Sequence, residues 1–239
     1  MRRVVAALAF VSAGAFAADA IPAFSSAAPG AALPPGWRIV TLPRVAPAAI
    51  GLVDEGGTTV LRVASHGSAG SAAHALDLDP ATHPRLAWRW KVANVVTHAN
   101  LARRDGDDFA ARVYVFFDVP EAELPWWERA KLRLARLIHG PDVPAAGLCY
   151  VWDNTHAPGT IAPNPYVPHI RTFVLESGGA AAGRWVDETR DLAADFRAAF
   201  PGRTAPVPRI TGIAAGNDTD QTGEEALAWF GDFRVEAAR

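Results

Sequence analysis

The side chains best placed to do chemistry fall in three clusters. Gly106, Asp107, Asp108 and Arg112 put two acids and a cation at the start of an apolar run. Asp108 and Arg112 share a strand face but lie about 13 Å apart along it, at roughly 3.3 Å per residue. Arg112 therefore either meets an acid from a neighbouring strand or offers its planar fork to a ligand carboxylate or hydroxyl pair.

The second cluster, Asn217, Asp218, Thr219, Asp220, Gln221, Thr222, Gly223 and Glu224, alternates oxygen donors in the way calcium favours. It is not an EF-hand loop, because Thr222 stands where that spacing needs Asp or Asn. A structural calcium site and a solvated turn whose Asp and Thr side chains cap backbone amides both fit. The third cluster, Trp152, Asp153 and Asn154, has the makings of a sugar grip, an aromatic face with a polar rim, or of a tryptophan that fills a β core.

Familiar catalytic signatures are lacking. None of the seven histidines forms an H-E-x-x-H pair, and there is no G-x-S-x-G elbow, phosphate loop or dinucleotide fingerprint. Cys149, the single cysteine, lies in the apolar run Leu148 to Trp152 and reads as a buried thiol. A net charge of -2 with mixed signs offers no broad basic surface for nucleic acid.

The elements that must position these residues read mostly as strands. Candidates are Trp37 to Leu42, Thr59 to Ala64, Leu86 to Val92, Phe109 to Val119, Leu148 to Trp152, Ile170 to Leu175, Ile210 to Ala215 and Ala228 to Val235. Leu86, Trp88, Trp90 and Val92 alternate with charged or small residues, so the tryptophans point inward. Phe109, Ala111, Val113, Val115 and Phe117 make one dry face of their strand and leave Asp108, Arg112, Tyr114 and Asp118 on the other. Helices are expected near Pro125 to His139 and Leu192 to Phe200. That order lacks the strand–helix alternation of a parallel sheet and predicts a mainly β fold: an antiparallel β-sandwich of the jelly-roll or galactose-binding-like kind, with one or two short helices.

Met1 to Ala17 has two arginines, a short apolar core and an Ala-x-Ala end, which reads as a cleavable signal peptide and predicts a periplasmic or secreted protein. Residues 18–35, rich in Ala, Pro and Ser, are expected to form a flexible leader, and 36–239 a single sandwich domain.

The segments WRWKV (88–92), GDDFAARVYVFFD (106–118), LCYVWDN (148–154), GRWVDETRDLAADF (183–196) and ITGIAAGNDTDQTGEEA (210–226) together resemble a family of exported bacterial proteins known only as a domain of unknown function, of the DUF3047 type. The resemblance implies a single exported domain and assigns no functional residue.

The residues thus suggest a non-catalytic envelope module that binds a saccharide or small polar ligand through Asp107, Asp108, Arg112, Trp152, Asn154, Asp218 and Asp220. One alternative is a polysaccharide-active enzyme using two of Asp107, Asp108, Asp153, Asp218 and Asp220, which would have to face each other across a cleft at about 5 to 10 Å. Another is an interaction module that uses the Trp126, Trp127 helix, rich in cations, against a membrane surface or a partner.

Overall fold

A computed structural model describes residues 21–120, 145–203 and 206–237, together with Arg129. The expected signal peptide and the Trp126, Trp127 helix fall outside these residues, apart from Arg129.

Fourteen strands are described: β1 (Trp37–Val40), β2 (Ala46–Pro47), β3 (Ala49–Asp54), β4 (Thr59–His66), β5 (Ser68–Leu78), β6 (Arg85–Val92), β7 (Phe109–Phe117), β8 (Ala146–Asp153), β9 (Ile161–Pro163), β10 (Ile170–Ser177), β11 (Val186–Asp191), β12 (Ile210–Asp218), β13 (Glu225–Phe230) and β14 (Arg234–Glu236). They form two sheets. The larger runs β1-β5-β12-β7-β8-β10-β9, with β2 against β5; the smaller runs β11-β6-β13-β4-β3, with β14 against β6. Pairing is antiparallel except between β10 and β8 and between β2 and β5. The protein is a mainly antiparallel β-sandwich.

Period-2 alternation sorts the side chains between layers. Leu61 and Val63 of β4, Trp88 and Trp90 of β6, and Ala228 and Phe230 of β13 meet Val113, Val115, Leu148, Tyr150 and Trp152 from the larger sheet in one core. Trp88 stands edge-on to Trp90 with ring centroids 5.7 Å apart, and Trp90 lies 5.8 Å from Trp152. These aromatic contacts add to the area they bury.

Helix α1 (Leu192–Ala199) follows β11 directly. The Asp191 side chain caps it by accepting from the Ala194 N–H at 2.8 Å. Its Phe196 packs 4.7 Å from Phe117, closing one end of the core.

Residues 21–35, assigned to a flexible leader by their composition, instead pack against the sandwich. Phe24 is fully buried, 4.7 Å from Trp37, whose indole N–H donates to the Pro22 carbonyl at 2.8 Å. Ile21, Phe24 and Leu33 dock a segment that otherwise consists of Ala, Pro, Ser and Gly.

The larger sheet has a second covered face. Phe109, Phe116, Cys149, Val151, Val174 and Ala214 form a separate apolar cluster with Leu101. This outer face carries Tyr114 and Arg112, whose guanidinium lies over Phe109.

Candidate functional site

Arg112 lies on β7 with Gly216 of β12 as its cross-strand partner, and Asp218 follows two residues on, facing the same way. Arg112 is 4% exposed. Its Nε donates to Asp218 Oδ1 at 2.7 Å and its Nη2 lies 2.5 Å from Oδ2, a two-pronged pair. Nη1 donates to the Tyr114 hydroxyl at 3.0 Å, Nη2 also donates to the Asp107 carbonyl, and the guanidinium stacks 4.6 Å above the Phe109 ring. Every arm of the fork is occupied. Arg112 is a structural ion pair with the neighbouring strand, not a free ligand grip.

Asp107 and Asp108 arrive on the loop before β7. Gly106 lets that loop close: a Cβ there would sit 2.8 Å from the Asn100 backbone nitrogen, whose N–H bonds to the Gly106 carbonyl at 2.7 Å. Asp107 accepts from the Asn164 side-chain amide at 2.9 and 3.2 Å and lies 3.6 Å from Arg112 Nη1. Asp108 has no exposure and accepts from the backbone N–H groups of Gln221 (3.0 Å) and Thr222 (2.6 Å). Asp220 accepts from the Gln221 side-chain amide at 2.5 Å, and Gln221 Oε1 lies 2.8 Å from the Tyr166 hydroxyl.

Asp108, Asp218 and Asp220 thereby converge, and one oxygen from each lies within 4.8 Å of the others. Four carboxyl groups share this knot with one guanidinium. Burial pushes Asp218 well above the usual carboxylate range; Arg112 pulls it back, and Asp108, Asp107 and Asp220 push it up again. Asp107 and Asp220 are raised, first by burial and then by neighbouring acids, against the pull of Arg112. Burial alone disfavours the Arg112 charge, but Asp218, Tyr114 and Asp107 more than restore it. Burial also pushes the Cys149 thiol up to about 12, so it is held as an inert thiol.

The structure brings together five of the residues singled out by sequence, Asp107, Asp108, Arg112, Asp218 and Asp220. Two others lie elsewhere. Trp152 is 1% exposed, faces the inner core and donates its indole N–H to the Gly178 carbonyl at 3.1 Å; period-2 alternation from Tyr150 puts it inside. Asn154 braces a loop by donating to the carbonyls of Thr97 and Ala99, both at 2.9 Å. Asp153 is buried in its own turn, accepting from the Thr155 and His156 N–H groups.

The 217–224 loop is not a linear donor set either. Asn217 points between the sheets, donating to Val63 and Ala226 carbonyls at 3.2 and 3.3 Å. Glu224 accepts from the Thr97 and His98 N–H groups, both at 2.8 Å. The third carboxylate comes from Asp108, a strand away. Tyr114, Asn164 and Gln221 complete the knot. Tyr114 was legible as a neighbour of Arg112 on the polar face, whereas nothing local marks Asn164.

The architecture is that of a two-sheet β-sandwich whose outer face holds a buried aspartate–arginine knot. Residues 35–234 match the family described as Protein of unknown function (DUF3047), and the chain belongs to it. No curated protein matches it. Among solved structures, it is similar to endoglucanase Cel12A from Rhodothermus marinus, at 11% identity over 85% of this chain and 93% of that one, TM-score 0.45. It is also similar to the xyloglucanase domain of NopAA from Sinorhizobium fredii in complex with cellobiose, at 9% identity, 85% and 93% coverage, TM-score 0.46. The catalytic domain of Humicola grisea Cel12A gives 12% identity, 85% and 93% coverage, TM-score 0.43.

Proposed function

We propose that the chain is an exported, non-catalytic binding module of the cell envelope that holds calcium at Asp108, Asp218 and Asp220 and, through it, a saccharide or other small polar ligand. The supporting observation is the convergence of three carboxylate oxygens within 4.8 Å of one another in a site with one cation for four acids. Calcium binds oxygens at about 2.3 to 2.6 Å, so oxygens of one shell lie up to about 5 Å apart; magnesium, at about 2.0 to 2.1 Å, draws its ligands closer.

Three carboxylates supply only part of the six to eight ligands calcium takes. The remaining places fall to water, carbonyls or ligand hydroxyls, and vicinal sugar hydroxyls suit them. The aspartates do not face each other across a groove: Asp108 has no exposure. That favours a bound cation over a two-carboxylate hydrolytic mechanism, which needs substrate between the acids.

The test is a thermal-shift titration of the full chain with calcium, magnesium and a chelator. Calcium at about 100 times Kd adds roughly 2.7 kcal/mol, so the expected result is a midpoint raised by several degrees, reversed by chelator and absent in Asp220→Asn. An equal response in Asp220→Asn, or none to calcium, overturns the reading.

A further inference from the structure

The smaller sheet carries a polar hollow of about 460 Å³ on its outer face. Small side chains make room for it: Ala87 of β6 and Gly231, just past β13, both line it. Period-2 alternation puts Ala87 and Arg89 on the face opposite the buried Leu86, Trp88 and Trp90. Register then fixes their neighbours. Ala87 lies between Thr189 of β11 and Arg234 of β14, and Arg89 stands across from Asp187. Glu236 follows Arg234 on the same face. Thr58 lines one end with Ser25, whose N–H and hydroxyl donate to Asp232 at 3.0 and 2.6 Å. The docked 21–35 segment thus supplies part of the wall.

Arg89 sets this hollow apart from an ordinary charged sheet face. Gly231 donates its N–H to the Arg89 carbonyl at 2.9 Å, and a Cβ on Gly231 would sit 2.7 Å from Arg89 Cγ and 2.9 Å from its Nε. A side chain there would displace the Arg89 stem. The guanidinium stacks over Trp185, 4.6 Å from the ring centroid, which holds its plane and leaves its N–H edge for hydrogen bonding. The next outward residue on β6, Lys91, is paired with Glu55. By contrast, the side chains of Arg89, Arg234, Asp187 and Glu236 make no hydrogen bond or ion pair with any described residue.

Arg89 and Arg234 are diagonal neighbours on adjacent strands. Such residues have Cβ atoms roughly 7–8 Å apart, within reach of long side chains, so both forks can meet on one anion above Ala87. A planar fork matches a carboxylate. Groups suited to hydroxyls surround that point: Thr189 and Thr58 donate and accept, while Asp187 and Glu236 accept. An amino acid zwitterion would engage the forks and the acids but leave the threonines idle. The volume falls within the roughly 300–1,000 Å³ of small-molecule sites.

We propose that this hollow binds a sugar acid, with Arg89 and Arg234 holding its carboxylate and Asp187, Thr189 and Glu236 holding its hydroxyls. It shares no residue with the aspartate knot and stands or falls independently of calcium there.

The experiment is a thermal-shift titration of the full chain with glucuronate, galacturonate, glucose, acetate and glycine, in chelator so that the calcium reading has no part in the outcome. At least one uronate raises the midpoint by about 2 °C or more near saturation. Glucose, which lacks the carboxylate, and acetate, which lacks the hydroxyls, each give less than half of that rise. Arg89→Gln and Arg234→Gln each abolish the uronate response. Arg234 is exposed, so its substitution leaves the unliganded midpoint within about 1 °C of wild type and separates lost binding from lost folding. No response to either uronate, an equal response to glucose, acetate or glycine, or a uronate response that survives Arg234→Gln overturns the proposal.

Discussion

Replacing Arg112 by Met removes the one cation of the aspartate knot while keeping most of the buried stem. Asp218 then loses the two-pronged pair at 2.7 and 2.5 Å and keeps only the Phe109 N–H at 3.1 Å as a donor. Removing one partner of a buried pair costs about 3–5 kcal/mol, because the other charge is left desolvated and unmatched. For a domain of this size, each kcal/mol moves the midpoint by roughly 2–4 °C, so Arg112→Met should melt about 6–20 °C lower. The double variant Arg112→Met with Asp218→Asn removes the stranded charge and should recover more than half of the loss. Thermal melts of the wild type, both singles and the double, run in chelator, give the coupling directly. If the two single losses simply add in the double, or Arg112→Met melts within 2 °C of wild type, Arg112 is not held as described.

The pH response of Glu188 and the docking of residues 21–35 give two further expectations. Glu188 titrates at about 7 in the fold against an ordinary 4.5, so the fold favours the protonated form, and the wild type loses stability as pH rises from about 4.5 through 7. The full shift corresponds to about 3 kcal/mol, which solvent screening at this half-exposed group reduces to about 1–2 kcal/mol; Glu188→Gln should therefore melt higher than wild type at pH 8 and equally at pH 4.5, and equal melting at both sinks the assignment. Phe24→Ala should cost about 3–5 kcal/mol by denaturant unfolding, the loss typical of a buried phenylalanine, whereas a loss below 0.5 kcal/mol would mean that the segment contributes nothing to the core.

Strands with strong β formers were legible: β6, β7, β8, β10 and β12 lie where Val, Ile, Phe, Tyr and Trp concentrate, with ends off by a few residues. β5 was not, although it sits centrally between β1 and β12. Its sequence, SAGSAAHALDL, has almost no β-branched or aromatic residue. Small side chains are what a strand needs where its neighbours crowd it, and Ala72 and Ala73 are both fully buried, on opposite faces. β propensity measures packing on a half-buried pleat, so a tightly covered central strand of alanines falls below its threshold. β11 failed for the opposite reason: as an edge it alternates half-buried and charged residues without a dry face.

The same division holds for the sites. The aspartate knot was readable because Asp107, Asp108 and Arg112 stand together in sequence and Asp218 and Asp220 announce a turn. Their meeting depends on β7 and β12 being neighbours, which fold class alone leaves open. Glu176, which after burial does most to raise the Glu188 carboxyl, is the lone acid of β10 and Glu188 one of three acids in β11, so neither stands out in its own strand. Their convergence depends on one extra residue in β10, where its register with β8 shifts between Val174 and Glu176, and such a shift leaves no mark in a hydrophobic pattern until its partner strand is known. Side chains that meet through strand order can thus be guessed from composition and motif, while those that meet through a bulge become visible only in the paired sheets.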